Sequence, residues 1–146
     1  MMDKMYIAVL SFVGIIGACT TYLLGGWDMA LQTLIIFMAI DYTTGLIVAG
    51  VFHNSNKTET GALQSKAGWK GLCRKGMTLL IVLVAAQLDK MTGTNIIRNA
   101  VIIGYAANES ISIIENAGLM GLPIPKVLVD AIDVLKRKGE SDENKS

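Results

Sequence analysis

The stretch MALQTLIIFMAIDYTTGLIVAGVF, residues 29–52, decides the fold of this chain. Its 24 residues carry a single charge, that of Asp41 near the middle. At about 1.5 Å per residue, a helix of this length crosses the roughly 30 Å hydrocarbon core of a bilayer. The stretch therefore predicts a transmembrane helix and an acid held inside the membrane.

Apolar stretches on both sides extend the pattern to four predicted spans. Residues 5–24 carry no charge, and residues 77–88 form a shorter apolar run that can extend to Met91. Residues 96–120 contain three charged residues, but their apolar residues still recur at helical spacing. We predict an all-α integral membrane protein with four transmembrane helices, or with three if the third or the fourth lies in the interface.

Composition agrees with a membrane protein of one domain. The 146 residues are 52% hydrophobic and 17% charged, whereas soluble domains are about 25% charged. Cys19 and Cys73 lie in different settings, so we expect no disulfide. The sequence has no nucleotide-binding loop, catalytic triad or metal-ligand spacing. We therefore expect no enzymatic activity, no cofactor and no nucleic-acid partner.

The segment between the second and third spans is basic and has two readings. It fits a short amphipathic helix on the membrane surface, or a solvated loop that carries the charges that set the topology. We predict the surface helix as part of the fold. Its membrane-surface basic residues are Lys66, Lys70, Arg74 and Lys75.

The sequence GLPIP at residues 121–125 ends the last span, because proline removes a donor and clashes with the preceding turn. Apolar residues at helical spacing follow it, and then a charged end. We expect a transmembrane domain at 1–122, an amphipathic cytoplasmic helix at 123–137 and a charged disordered tail at 138–146. The apolar face of that helix is predicted to hold Val127, Leu128, Ala131, Ile132 and Leu135.

The distribution of lysine and arginine predicts the orientation. Four spans place eleven of the 13 basic residues on the side that holds both termini and the 53–76 connection. Lys90 and Arg98 alone fall on the other side. By the positive-inside rule, both termini are cytoplasmic.

Polar groups inside the predicted spans are the candidate functional residues. A carboxylate near the bilayer centre costs about 2.5–3.5 kcal/mol on insertion scales, so Asp41 and Glu109 must face protein, water or a partner. They either form structural contacts, for instance with Arg98 or Lys75, or they line an aqueous path. Further polar residues share one face of the fourth span and complete the set of pore-lining or inter-helix candidates: Asn108, Ser112 and Glu115.

Pairs of small residues four apart predict close helix packing in three of the spans, because they let helix backbones approach one another in lipid. Together with the polar face, they lead us to expect a homo-oligomer. The pairs are Gly14 and Ala18, Gly45 and Ala49, and Ala100 and Gly104.

The C-terminal half resembles a known family. NESISIIENA at residues 108–117, followed by GLPIP, is similar to the bacteriophage holin family that also contains clostridial toxin-secretion holins. Asp41, the KGLCRK stretch at 70–75 and Asp89 resemble that family as well. The resemblance covers about residues 38–136, and Asp41, Asn108, Glu109 and Glu115 match family positions.

The resemblance implies a phage protein that accumulates in the host cytoplasmic membrane, oligomerises at a set time and opens large lesions. An endolysin, or a toxin in related loci, then crosses without needing direct contact. The family implies no catalytic residues. The residues themselves leave two alternatives, a small ion channel or transporter that uses the intramembrane acids, and a membrane scaffold. A second translation start at Met5, which would remove Asp3 and Lys4, is a further hypothesis.

Overall fold

The computed structural model describes residues 2–143, with side chains from Asp3 to Ser141. In that range every regular element is a helix, which confirms the all-α prediction. Three helices, the first three, are long and apolar enough to cross a membrane, so the count of four spans stays a prediction. The helices are α1 (Met2–Leu23), α2 (Met29–Gly50), α3 (Ser65–Thr92), α4 (Ile96–Leu119) and α5 (Lys126–Glu143).

Helices α2, α3 and α4 pack into a bundle around an apolar core. Leu31, Leu34, Val82 and Ile102 are almost completely buried at its centre. Asp28, the residue before α2, accepts a hydrogen bond from the backbone N–H of Leu31 at 2.9 Å, which caps the first turn. The bundle thus fixes the helix faces on which the polar residues lie.

Helix α1 lies outside this bundle. Its side chains from Asp3 to Thr20 are all exposed, and its contacts are made at its C-terminal end with α3. There Gln87 donates to the carbonyl of Leu23 at 2.9 Å, and Lys90 donates to the carbonyl of Tyr22 at 3.2 Å. The predicted packing residues Gly14 and Ala18 are therefore exposed within one chain.

The predicted surface helix and the short third span are one continuous helix, α3, of 28 residues. Glycines at 68 and 71 do not break it. A Cβ at either position would lie 3.6–3.7 Å from the Tyr42 side chain, an ordinary van der Waals distance, so this part of α3 packs against α2. The prediction of a separate surface helix is thus wrong. Lys66, Lys70 and Arg74 are exposed on the first half of α3, whereas Lys75 is partly buried.

Helix α5 folds back along α4. Its buried positions are Ile132 and Gly139, with Leu135 packed against the core, whereas three residues of the predicted apolar face are exposed, namely Val127, Leu128 and Ala131. The helix continues through residues 138–143, where the sequence predicts a disordered tail. The rest of that predicted tail, residues 144–146, lies outside the described residues.

Candidate functional site

A lysine between two acids forms the centre of the candidate site. The Nζ atom of Lys75 lies 2.7 Å from Oδ2 of Asp41 and 2.5 Å from Oε2 of Glu109. The three side chains come from α3, α2 and α4, and each is no more than 14% exposed. One ammonium group therefore joins all three helices of the bundle.

Asn116 extends this network along α4. Its side-chain amide donates to Thr44 Oγ1 at 2.9 Å and to Asp41 Oδ1 at 3.2 Å. Asn116 is itself buried, and its amide nitrogen would lie 3.8 Å from a Cβ at Gly45, so it packs against α2 at that position. Asp41 is thus held from one side by Lys75 and from the other by Asn116.

The loop between α2 and α3 supplies a second cation. Nζ of Lys57 lies 3.8 Å from Asp41 Oδ1 and donates to Ser112 Oγ at 3.3 Å. The Lys57 side chain is 47% exposed, so it marks the end of the network that opens to the surface. We call Asp41, Lys57, Lys75, Glu109, Ser112 and Asn116 the charge cluster.

The charge cluster is electrically balanced, because two lysines face two carboxylates. Asp41 lies twelve residues after Met29, about 18 Å along α2, so the cluster lies well inside the helix bundle. A balanced and hydrogen-bonded group avoids most of the cost that a lone charge pays in the hydrocarbon. All buried side-chain nitrogen and oxygen atoms of the described residues have a hydrogen-bond partner.

A second polar group closes the opposite end of the bundle. Arg98 donates to the Leu24 carbonyl at 2.6 Å, to the Gly26 carbonyl at 3.0 Å and to Asp28 at 2.7 Å. A Cβ at Gly25, whose φ is +86°, would lie 2.8 Å from the Arg98 side chain. Glycine is therefore required where this turn meets the guanidinium. The hydrogen bond from Arg98 holds the pKa of Asp28 below its usual value.

Asp89 caps α4 from the neighbouring helix. Its carboxylate accepts from the backbone N–H of Arg98 at 2.8 Å, from that of Ile97 at 3.1 Å and from the Thr94 hydroxyl at 2.6 Å. Free N–H groups at a helix N-terminus favour such an anion. The sequence does not predict this contact.

The structure divides the predicted polar candidates into two groups. Asp41 and Glu109 meet on Lys75, one of the pairings that the sequence allows, and Ser112 lies at the edge of the charge cluster. Asn108 and Glu115 are exposed on another face of α4. Among the predicted packing residues, those in the bundle are buried or in contact, namely Gly45, Ala49 and Ala100, and Gly104 lies next to α5.

Lys57 and Asn116 are functional candidates that the sequence analysis missed. A usable signal exists for Asn116, because it follows Glu109 by seven residues and so lies on the same helix face. The predicted polar face instead runs through Asn108, Ser112 and Glu115, and Asn108 and Glu115 each precede by one residue the positions that join the charge cluster, Glu109 and Asn116. No comparable signal marks Lys57, whose contact depends on how its loop folds.

Comparisons with known proteins extend over most of the chain. The model of the bacteriophage holin family matches residues 18–137. An uncharacterized protein of Listeria monocytogenes is 40% identical over 130 residues, which are 88% of this chain and 87% of the relative. An uncharacterized protein of Clostridium perfringens is 34% identical over 139 residues, or 94% and 97% of the two chains.

A phage protein is also among the relatives. The probable holin of Bacillus phage phi105 is 31% identical over 116 residues, which are 79% of this chain and 80% of the phage protein. No solved structure matches the chain. The family match includes every residue of the charge cluster and the polar group around Arg98, but it begins near the C-terminal end of α1.

Proposed function

The chain belongs to the bacteriophage holin family, and we propose that it acts as a holin in the host cytoplasmic membrane. In this proposal it oligomerises and opens large, non-specific lesions through which an endolysin, or a toxin, crosses. The observation that carries the proposal is the family match over residues 18–137, supported by the likeness to a probable phage holin. It has no catalytic activity of its own.

The proposed topology has four spans with both termini in the cytoplasm. Asn54 in the α2–α3 connection donates to the Leu119 carbonyl at 3.1 Å, so this connection and the end of α4 lie together. The α1–α2 turn and the start of α4 lie together at the opposite end, joined by Arg98. This arrangement supports alternating spans, and the basic residues Lys66, Lys70 and Arg74 in the first half of α3 mark the cytoplasmic end.

The proposed oligomer uses surfaces that one chain leaves uncovered. Asn108 and Glu115 lie seven residues apart on an exposed face of α4, where lipid offers no hydrogen-bond partner. Water in a lesion or polar groups of a second copy would solvate them. On assembly, Asp41 and Glu109 exchange their contacts with Lys75 for water or for groups of a neighbouring subunit.

Induced expression in bacteria tests this function. The measurement follows the membrane potential and the release of a cytoplasmic reporter enzyme in the same culture. A holin releases the folded enzyme as the potential collapses. Loss of potential with the enzyme retained would identify an ion channel or transporter instead, and the absence of both effects would leave only a scaffold.

A further inference from the structure

Helix α5 covers the face of α4 that carries the small residues. A Cβ at Gly139 would lie 3.5 Å from Ile103 Cγ2 and 3.6 Å from the backbone nitrogen of Gly104. Ala100 and Ala107, about one turn to either side, are both buried. The part of this predicted packing surface around Gly104 is therefore occupied by a segment of the same chain.

The position of α5 conflicts with a membrane-spanning α4. Fifteen residues separate Gly104 from Leu119, so α5 runs back beside α4 for about 22 Å. Its uncovered sides carry charged residues beside apolar ones such as Val127 and Val134, and charged side chains are costly in hydrocarbon. If α4 crosses the bilayer, α5 cannot stay on it and face lipid. The exposed charged residues of α5 are Lys126, Asp130, Asp133, Lys136, Arg137, Lys138 and Glu140.

The contact between α5 and α4 is made by apolar side chains and backbone. In the part of the chain with described side chains, no side-chain hydrogen bond or salt bridge joins α5 to another helix. The charge cluster, in contrast, joins α2, α3 and α4 by charged hydrogen bonds. Release of α5 thus exposes apolar and backbone surface but leaves no buried polar group without a partner.

We propose that α5 is a removable cover of α4. While α5 lies on α4, α4 cannot insert as the fourth span, and once α4 has inserted, α5 cannot lie on it. The covered form is unable to assemble. Departure of α5 to the membrane surface frees the face around Gly104, which then packs against a second copy of the chain. This inference rests on the proposed holin function and adds a step that delays it.

A reversible disulfide between α5 and α4 tests whether α5 must leave α4 before the chain can assemble. Ile103→Cys and Gly139→Cys are placed in a full-length chain whose own cysteines carry Cys19→Ser and Cys73→Ser. The Cγ2 atom of Ile103, whose place the sulfur of a cysteine at 103 can take, lies 3.5 Å from a Cβ at 139, so the two cysteines face each other across the contact. The disulfide is formed in detergent, the protein is reconstituted into lipid vesicles that contain a labelled folded protein, and release is followed before and after a membrane-permeant reductant.

The cover predicts slow release from the oxidised vesicles and an increase on the order of tenfold after reduction. Each single-cysteine chain should release its cargo at one rate with or without the reductant. Equal release from oxidised and reduced double-cysteine protein would overturn the cover, and would instead fit an α5 that lines a wet lesion. Failure of the unmodified chain to release cargo would contradict the holin function itself.

A second pair of variants tests the same contact without a disulfide. Gly139→Ala fits at ordinary van der Waals distances, whereas Gly139→Leu has no room against Gly104 and should push α5 away. The leucine variant should release cargo faster than the unmodified chain and the alanine variant at an unchanged rate. A leucine variant that releases cargo at or below the unmodified rate refutes the cover.

Discussion

The ammonium group of Lys75 donates to the carboxylate of Asp41 across 2.7 Å, although 34 residues separate them in the chain. This contact joins α3 to α2 inside the bundle, and Glu109 adds α4 through the same nitrogen. A buried charge is costly to leave without its partner, whereas the complete, paired group adds little net stability. The charge cluster therefore makes the three-helix bundle sensitive to the loss of a single member.

Lys75→Met should destabilise the bundle strongly, because it leaves two buried carboxylates without their shared cation. Removal of one partner from a buried ion pair costs about 3–5 kcal/mol in the free energy of unfolding. Unfolding in mixed micelles, followed by circular dichroism, measures the effect. Lys66→Met, in the exposed first turns of the same helix, is the matched control and should change stability little. Equal stability of the two variants would contradict the role of Lys75.

Removal of all three charges together should lower the free energy of unfolding much less than removal of Lys75 alone. The triple variant Asp41→Asn, Lys75→Met and Glu109→Gln removes both buried carboxylates together with the cation that they share. Replacement of a whole buried ion group by uncharged residues often changes the stability of a protein little. The free energy of unfolding should return to within about 2 kcal/mol of that of the unmodified chain. A triple variant less stable than Lys75→Met would show that the charges do not act as a balanced unit.

The contact between Asp28 and Arg98 should make stability depend on pH in the acid range. The pKa of Asp28 is lowered in the folded chain, so the unfolded chain binds a proton first as pH falls. The contribution is fully present above the ordinary pKa of 3.8 and is lost as pH falls through the lower folded value. Asp28→Asn keeps a residue suited to cap α2 but removes the ionisable group.

The measurement for Asp28 is the difference in unfolding free energy between the unmodified chain and Asp28→Asn from pH 7 to pH 2. It should be constant down to about pH 4 and should shrink below that. A difference that does not change with pH would mean that Asp28 acts only through its hydrogen bonds.

Leucine at either intramembrane acid should alter lysis in cells. Asp41→Leu and Glu109→Leu each remove a group that is proposed to meet water or a neighbouring subunit in the lesion. We expect later onset and less release of a cytoplasmic enzyme at matched protein levels in the membrane. Glu59→Leu, in the exposed α2–α3 connection, is the control. Unchanged timing and extent in both variants would exclude the acids from the lesion.

Local sequence patterns were enough to predict the helices but not their full arrangement. The lengths of the first two apolar stretches predict α1 and α2, because a membrane span depends on a run of consecutive apolar residues. The short apolar run at 77–88 belongs to a helix that begins at Ser65, because the basic residues before Met77 interrupt the apolar pattern without ending the helix. The first half of this helix packs on Tyr42 of α2, and such a contact between distant residues leaves no periodic signal.

The charge cluster was predictable in part for the same reason. Acids inside apolar spans indicate a buried polar site, and Lys75 was one of the partners that the sequence allowed. The contribution of Lys57 depends on how the loop folds over Asp41, and the path of α5 depends on the contact of Gly139 with Gly104. Both arise from tertiary packing, which a single sequence does not encode at any fixed spacing.

Co-expression with a phage endolysin that lacks an export signal tests the central claim most directly. The measurement is culture turbidity after induction of this chain, of the endolysin, or of both. The holin function predicts abrupt lysis only when both are present, because the enzyme reaches the cell wall only through the lesion. Intact cells with both proteins present, and with this chain in the membrane, would contradict it.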